Sequence, residues 1–595
     1  MPRDSSFQVD VRKEGHPSSI GGDSIGLPMV LRADDCGDTD LTDSTSGPAR
    51  RLFRPEIGSV MLCLLTTAYI LLVTNRTFWW KASGYFSADR FGFTIFVIGI
   101  AAACMGVVTL FSAKYITKPF LIFFVIAASA ASWFMDAFGV IVDKEMIRNA
   151  AVSTGAEAGH LITPRFAMHL FLTGILPSLL IIWVRIRHRP ILGKLAHNTV
   201  VILACTAVFA VIGLGDYRTF AGVGRAHKDI LDTLNPFVPI TSAVRFAISS
   251  GEDANVVAQP LGTDAHRVNT AGTTKPRVLI VVAGETARAQ DFSLGGYERE
   301  TNPELKKQGV VYFNNTSSCG TATAVSIPCL FSVYPRASYT HRKGLETQNV
   351  LDVLGNAKVA VSWLDNDTGS YHVTDRVPYE YLPDSADPRF CKDGECLDGI
   401  LVDKVDGWLD NVKGDSVLVL HQLGSHGPAY YARYPEEFRR FKPDCRANDF
   451  GSCSPDEIRN AYDNTILYTD HIVSTVIDKL KQRSDKLAAS VVYFSDHGES
   501  LGENGLYLHG TPYVIAPIQQ THVPLLVWMS QDLQDSAGYD LACVAAGAAK
   551  PTSHDNFFHS VLGMMDVATS VYDPKLDVFS GCRKSSTHVA SAAPR

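Results

Sequence analysis

The chain has no C-x2-C pair, which argues against a cysteine-based zinc cluster. It has no dense basic stripe with interleaved aromatic residues, so nucleic acid is not an expected partner. Its net charge of −7 over 595 residues is too small to exclude any other class of partner. No internal repeat is visible, and no low-complexity tract lies beyond the first fifty residues. A signal peptide is also missing. The first apolar run starts only near Ile57, and no small-residue cleavage site follows it.

Between about residues 55 and 215 the chain is strongly apolar. Five runs occupy about 57–74, 92–112, 119–141, 165–184 and 198–215. A helix needs roughly 20 apolar residues to cross the hydrocarbon core, so the runs predict five transmembrane helices over residues 55–215. Residues 1–54, rich in Ser, Asp, Gly and Pro, are expected to form a disordered cytoplasmic tail. Lys and Arg set the orientation. Arg50, Arg51 and Arg54, then Lys114 and Lys118, then Arg185, Arg187, Arg189 and Lys194 fall on one side if the N-terminus is inside. The remainder of the chain is then outside the inner membrane. Residues 216–276 read as a bridge, with an amphipathic helix from Arg218 to Ala247 and a polar linker from Ser249 to Pro276. Residues 277–585 alternate strands with helices, which predicts an α/β domain with a mainly parallel sheet covered by helices on both faces. Residues 586–595 are expected to be disordered.

The cysteines fit that orientation. Eight of the twelve lie in the outer domain. Cys319 with Cys329, Cys391 with Cys396, and Cys445 with Cys453 are close in sequence, and Cys543 with Cys582 is a candidate fourth pair. An even count at short spacing suits an oxidising compartment.

Four runs in the outer domain end in polar or metal-ligating residues. Val278–Ala283 runs into Glu285, and Val359–Trp363 into Asp365 and Asn366. Ser416–Leu420 runs into His421 and then His426, and Val491–Ser495 into Asp496 and His497, with His509 a glycine-rich loop later. Such runs read as strands buried on both faces, and open α/β sheets bind ligands at the carboxyl ends of their strands. Carboxylate and imidazole donors together suit a Zn2+-type ion. The segment Cys319-Gly-Thr-Ala-Thr-Ala-Val-Ser-Ile-Pro-Cys329 adds hydroxyls in a loop with a cysteine at each end. It reads either as an ordinary capped helix start or as the carrier of a metal-activated nucleophile. A helix N-terminus also favours a bound phosphate.

These motifs resemble those of the phosphoethanolamine transferases of the Gram-negative envelope. That group includes the mobile colistin-resistance enzymes and the lipid A-modifying enzyme of Neisseria, and it belongs to the alkaline phosphatase and sulfatase superfamily. The resemblance covers nearly the whole chain from about residue 55. It rests on Gly284-Glu285-Thr286-Ala287-Arg288, Gly296-Tyr297-Glu298-Arg299, Thr301-Asn302-Pro303, Cys319-Gly320-Thr321-Ala322-Thr323, His421-Gln422-Leu423-Gly424-Ser425-His426-Gly427-Pro428, Asp496-His497-Gly498-Glu499-Ser500 and Leu508-His509-Gly510. The resemblance implies that Thr323 is the nucleophile and that Glu285, Thr323, Asp496 and His497 hold one Zn2+. It places His426 and His509 at a second-metal or substrate position. It implies ping-pong transfer from phosphatidylethanolamine to a lipid A phosphate through a phosphoethanolamine-threonine intermediate, by a membrane-bound monomer that confers polymyxin resistance.

Asn149, Ser153 and Glu157 are spaced to share one face of a helix. The resemblance gives that face to the ethanolamine head group, with Asn366, Asp367 and Thr368 as a further substrate segment. The same face also reads as a solvated loop. The chain departs from many relatives at Ser370 and Thr374, where they carry two cysteines. A sulfatase would need a C/S-x-P-x-R motif; Ser326-Ile327-Pro328-Cys329-Leu330 lacks the Arg. A phosphatase-type hydrolase, a glycerol-phosphate polymerase, and transfer to an inner-core sugar or another envelope glycan remain open. A transporter is disfavoured, because only Asp136 and His169 are obvious ionisable candidates within the runs.

Overall fold

The structure is a computed structural model, and it describes residues 54–215, 223, 228–253, 256–268 and 275–583. Of the expected tails, 1–54 and 586–595, all but Arg54 lies outside the described residues. Among the described residues, four helices are long and apolar enough to cross a membrane: α3 (Arg90–Leu110), α4 (Thr117–Phe138), α7 (Pro164–Trp183) and α8 (Ile191–Gly215). Leu192, Leu203, Val211 and Leu214 of α8 face outward, as on a helix apolar all round.

The first expected span is different. Helix α1 (Ser59–Val73) has only 15 residues and bends by 69° into α2 (Arg76–Tyr85), so the two make a fifth span only if counted together. At 1.5 Å per residue α1 is about 22 Å long, short of a hydrocarbon core of about 30 Å. Polar side chains pin the bend. Asn75 Nδ2 donates to Asn235 O at 2.8 Å, and Asn235 Nδ2 donates to Ala128 O at 2.6 Å and Thr74 O at 2.9 Å. The backbone groups freed by the break are thereby satisfied within the protein, as an apolar environment requires.

Between α4 and α7 the single expected helix is two: α5 (Lys144–Val152) and α6 (Gly155–Leu161). Ser153 is extended (φ −57°, ψ 140°), and the Thr154 side chain accepts from Glu157 N at 3.2 Å. The side-chain cap competes with the helix and wins. Helix α4 ends at Gly139, whose φ of +74° lets Gly505 and Leu506 of the outer domain approach closely. The bridging helix α9 (Phe237–Asp253) starts and ends later than expected, so Ser249–Asp253 is helix rather than linker. Of the expected segment between Arg218 and Lys228, only Val223 and Lys228 lie within the described residues. Helix α5 packs against both α9 and α10 (Thr323–Leu330).

The outer domain is built on eight strands: β1 (Arg277–Gly284), β2 (Val311–Ser317), β3 (Ala360–Asp365), β4 (Tyr379–Tyr381), β5 (Ser416–His421), β6 (Ala488–Ser495), β7 (His522–Met529) and β8 (Thr552–Ser553). Their order is β8-β2-β7-β6-β1-β5-β3-β4, and only β7 runs against the rest. Alternation along β1 feeds two cores. Leu279, Val281 and Ala283 join Ile327 and Leu330 of α10 and Phe558 and Leu562 of α13 (Phe557–Met564). Val278, Ile280 and Val282 join Leu401 and Val405 of α11 (Gly399–Asp410) and Ile466, Val473 and Ile477 of α12 (Pro455–Lys481). In register, His421 lies opposite both Ala283 and Asp365, and Ser495 lies opposite Gly284. The carboxyl ends of β3, β5, β1 and β6 therefore stand side by side.

Disulfides join Cys319 to Cys329, Cys391 to Cys396, Cys445 to Cys453 and Cys543 to Cys582. Where many relatives are expected to carry a further disulfide, Ser370 Oγ and Thr374 Oγ1 are hydrogen-bonded at 2.6 Å. The centre of the sheet carries the stability of the outer domain. Leu279→Ala, at a fully buried position of β1, should cost about 2–5 kcal/mol. Thermal unfolding of the detergent-solubilised protein should show a lower midpoint; an unchanged midpoint would contradict this packing.

Candidate active site

Glu285 follows the last residue of β1, and Asp496 the last residue of β6. Thr286, at a left-handed φ of 52°, turns the chain so that its N–H donates to Asp496 Oδ1 at 3.2 Å. His497 N donates to the same oxygen at 2.7 Å. The loop after β5 passes directly over Glu285. Gly424, with φ +53°, makes that passage possible: a Cβ there would lie 2.7 Å from Glu285 O. Asp398 fixes this loop by accepting from Leu423 N at 2.9 Å and Gly424 N at 3.0 Å.

Thr323 is the first residue of α10, so both readings of its segment hold together: it opens a helix and it faces the strand ends. Its Oγ1 lies 3.1 Å from each carboxylate oxygen of Glu285 and 3.3 Å from His497 Nε2. Ser326, one turn on, donates to Asp496 O at 2.7 Å and accepts from Gly320 N at 2.9 Å. The Cys319–Cys329 disulfide spans the same turn. The positive end of the helix is thus anchored beside the carboxylates.

Glu285, Asp496 and His497 are fully buried, and one ligand atom from each lies within 4.8 Å of the others. Burial raises the Glu285 carboxyl well above its usual range, and the Asp496 and Asp367 carboxylates raise it further. Burial also lifts Asp496 to about 6. Burial, then repulsion from His509, holds His497 well below 6.5 and therefore neutral. Its Nδ1 is 3.0 Å from Gly498 O, so the Nε2 lone pair is left facing the carboxylates. Asp496 Oδ2 has no hydrogen-bond partner although it is buried. An unpartnered carboxylate oxygen, a second carboxylate, a neutral imidazole and a hydroxyl make a donor set that fits a divalent ion such as zinc.

The other predicted residues gather around this cluster. His426 Nε2 is 3.2 Å from Glu157 Oε1, so α6 reaches from the membrane segment into the site. Glu157 is almost wholly buried, which rules out the solvated-face reading for that residue. Ser153 donates to Asn149 O at 3.2 Å and also hydrogen-bonds Glu157. His509 stands between His497 and His426, with ring centroids 4.5 and 5.4 Å away, and its Nδ1 is 2.9 Å from Glu499 Oε2. Asn366 Nδ2 donates to Asp398 Oδ1 at 2.8 Å. Thr368 donates to Asp367 Oδ2 at 3.1 Å and is hydrogen-bonded to Tyr371. A cleft lined by Thr154, Glu157, Asn366, Asp367, Thr368, Tyr381 and Glu395 opens beside the cluster.

Several residues here were not singled out from sequence. Arg433 donates to His426 O at 2.9 Å and pairs with Glu395 at 2.7 Å, and Glu395 also meets His160 at 2.9 Å. Tyr430 donates to Glu499 Oε1 at 2.6 Å. Only Glu499 had a signal, because it lies within the Asp496–Ser500 motif.

The structure superposes on the integral membrane lipooligosaccharide phosphoethanolamine transferase A from Neisseria meningitidis with a TM-score of 0.85 and 34% identity, covering 89% of this chain and 100% of the other. A sulfatase family model matches residues 277–567, and a phosphoethanolamine transferase EptA/EptB model matches residues 100–250. Phosphoethanolamine transferase EptA of Salmonella typhimurium is 38% identical over 545 residues, covering 90% of this chain and 99% of that protein. This chain belongs to the phosphoethanolamine transferase family. A further relative, phosphatidylethanolamine transferase Mcr-1 of Escherichia coli, is 36% identical over 490 residues, 80% of this chain and 90% of that protein. The four to five candidate spans and the sulfatase-like domain thus match the full-length membrane transferase in architecture.

The Glu157–His426 pair gives the contact between α6 and the outer domain a defined pH dependence. Burial opposes both charges, but each partner outweighs it: Glu157 falls to about 2 and His426 rises to about 9. The Glu157 contribution is full above about 4.5 and lost as pH falls towards 2; the His426 contribution is full below about 6.5 and lost as pH rises through about 9. Hydrogen exchange of residues 144–161, corrected for its intrinsic rate, should therefore accelerate as pH rises through about 9. Glu157→Gln should remove that acceleration. Exchange in the wild type that does not change across this range would contradict the pairing.

Proposed function

We propose that this protein transfers phosphoethanolamine from phosphatidylethanolamine to a phosphate of lipid A, through a covalent intermediate on Thr323. One observation carries the reading: a buried threonine hydroxyl at a helix N-terminus, 3.1 Å from Glu285 and 3.3 Å from His497. Family membership supplies the transferred group. A relative named as a lipooligosaccharide phosphoethanolamine transferase supports a glycolipid of the envelope as the acceptor.

Glu285, Thr323, Asp496 and His497 would hold a zinc ion, which when bound lowers the pKa of a coordinated hydroxyl and offsets charge on phosphoryl oxygens. Glu285 accepts the hydrogen bond of the Thr323 hydroxyl and aims Oγ1. The Thr323 hydroxyl gives its proton to Glu285 as Oγ1 attacks phosphorus, the bond from phosphorus to the diacylglycerol oxygen breaks, and that oxygen needs a proton. His426, held protonated by Glu157, is placed to supply it. The lipid A phosphate then attacks the same phosphorus, and Thr323 Oγ1 leaves, taking back the proton held by Glu285. The first-turn amides of α10 and His509 face the phosphoryl group, and Glu157, Asn366 and Thr368 line the cleft for the ethanolamine ammonium. The protein acts as a monomer in the bacterial inner membrane with its N-terminus cytoplasmic. Four disulfides support a periplasmic outer domain.

Mass spectrometry of lipid A from cells expressing the wild type should show added phosphoethanolamine. Thr323→Ala should reduce it to on the order of one-thousandth or less. Unmodified wild-type lipid A would contradict the acceptor, and undiminished modification by Thr323→Ala would contradict the nucleophile. Each added ammonium lowers the anionic charge of the surface, so wild-type cells should also bind polymyxin more weakly.

A further inference from the structure

A second ligand cluster shares Glu285 with the first. One ligand atom each from Glu285, Asp367 and His421 lies within 4.8 Å of the others, and all three residues are buried. His421 Nε2 is 3.6 Å from Asp367 Oδ2 and makes no hydrogen bond, and Asp367 Oδ1 likewise has no hydrogen-bond partner. The imidazole is oriented from behind. Its Nδ1 lies 3.0 Å from Asp365 Oδ2, which also accepts from Trp363 Nε1 at 2.8 Å. The other Asp365 oxygen accepts from Asp367 N at 2.9 Å, so the carboxylate is fixed. A carboxylate holding Nδ1 and an Nε2 that makes no hydrogen bond and points at acidic groups is the arrangement of a metal-ligating histidine.

Charge points the same way. A divalent ion at Thr323 would be matched by Glu285, Asp496 and the hydroxyl, leaving Asp367 as a further buried carboxylate whose partners are the Thr368 hydroxyl at 3.1 Å and His421 Nε2 at 3.6 Å. Buried charges are found paired or bound to cations. We propose that Glu285, Asp367 and His421 form a second cation site, with Glu285 bridging it to the site at Thr323. Two carboxylates and one imidazole are a donor set for Zn2+ or Mn2+, with positions left for water or a substrate oxygen. Asp365 is the positioning residue for His421, and Asp367 serves this centre while also lining the head-group cleft. The inference rests on the metal reading of the Thr323 site for its shared ligand.

The test is metal analysis of the detergent-solubilised full chain, loaded with zinc and freed of loosely held metal. The wild type should retain two equivalents, and His421→Ala and Asp367→Asn one each. Anomalous diffraction at the zinc edge from wild-type crystals should show a peak among Glu285, Asp367 and His421, and needs no variant to fold. One equivalent in the wild type, a second peak at His426 and His509 instead, or an unchanged count in His421→Ala would overturn the proposal. Lipid A modification by the same wild-type preparation separates the two readings. Modification with one equivalent sinks only the second site, and two equivalents without modification sink only the transferase reading.

Discussion

Three carboxylates buried at the ends of neighbouring strands are the constraint on which the rest of the site depends. Glu285, Asp367 and Asp496 are all sealed from water, and Glu285 feels repulsion from both of the others. Leaving such groups charged and unpaired costs several kcal/mol each. The fold does not relieve this by spreading them apart; the sheet register sets their strands side by side. Relief comes from what surrounds them: the positive end of α10 and the His421 imidazole, and it would be completed by a cation that such a donor set fits. A site that stores negative charge in this way is prepared for a metal ion and, through it, for a phosphoryl group.

The membrane part of the chain completes this site rather than merely anchoring it. Helix α5 packs on α10, and α6 brings Glu157 to His426. A short polar latch of His160, Glu395 and Arg433 ties the same segment to the loop that carries His426. The donor head group of a phospholipid lies at the membrane surface, so a cleft walled partly by α6 and partly by the outer domain is well placed to receive it. Both substrates of the proposed reaction are lipids, which would account for an outer domain packed on the segment between two candidate spans.

The strand ends were legible in the sequence because strands buried on both faces are uninterrupted apolar runs, and the residue that follows each run is conspicuous. Thr323 was legible as a hydroxyl between two cysteines and became specific only through family resemblance. Other features depend on contacts between distant segments and leave no local trace. The spacing of Asn149, Ser153 and Glu157 suits one helix, but the Thr154 cap divides it. The run at 57–74 reads as a full span, yet the Asn75–Asn235 pairing ends α1 early. Asp367 is two residues beyond a strand end and reads as part of a substrate loop, and it does line the cleft beside the site. Only the register of β3 against β5 turns it towards His421. Arg433 and Glu395 carry no motif, and their roles follow from the fold alone.

The account stands or falls on a covalent bond between Thr323 and phosphorus. The direct measurement is peptide mass spectrometry of the purified, metal-loaded protein after incubation with phosphatidylethanolamine in the absence of acceptor. The account predicts the mass of one phosphoethanolamine on the peptide containing Thr323, released when lipid A is added. Diacylglycerol formed without any modification of Thr323, or the group found on another residue, would contradict it.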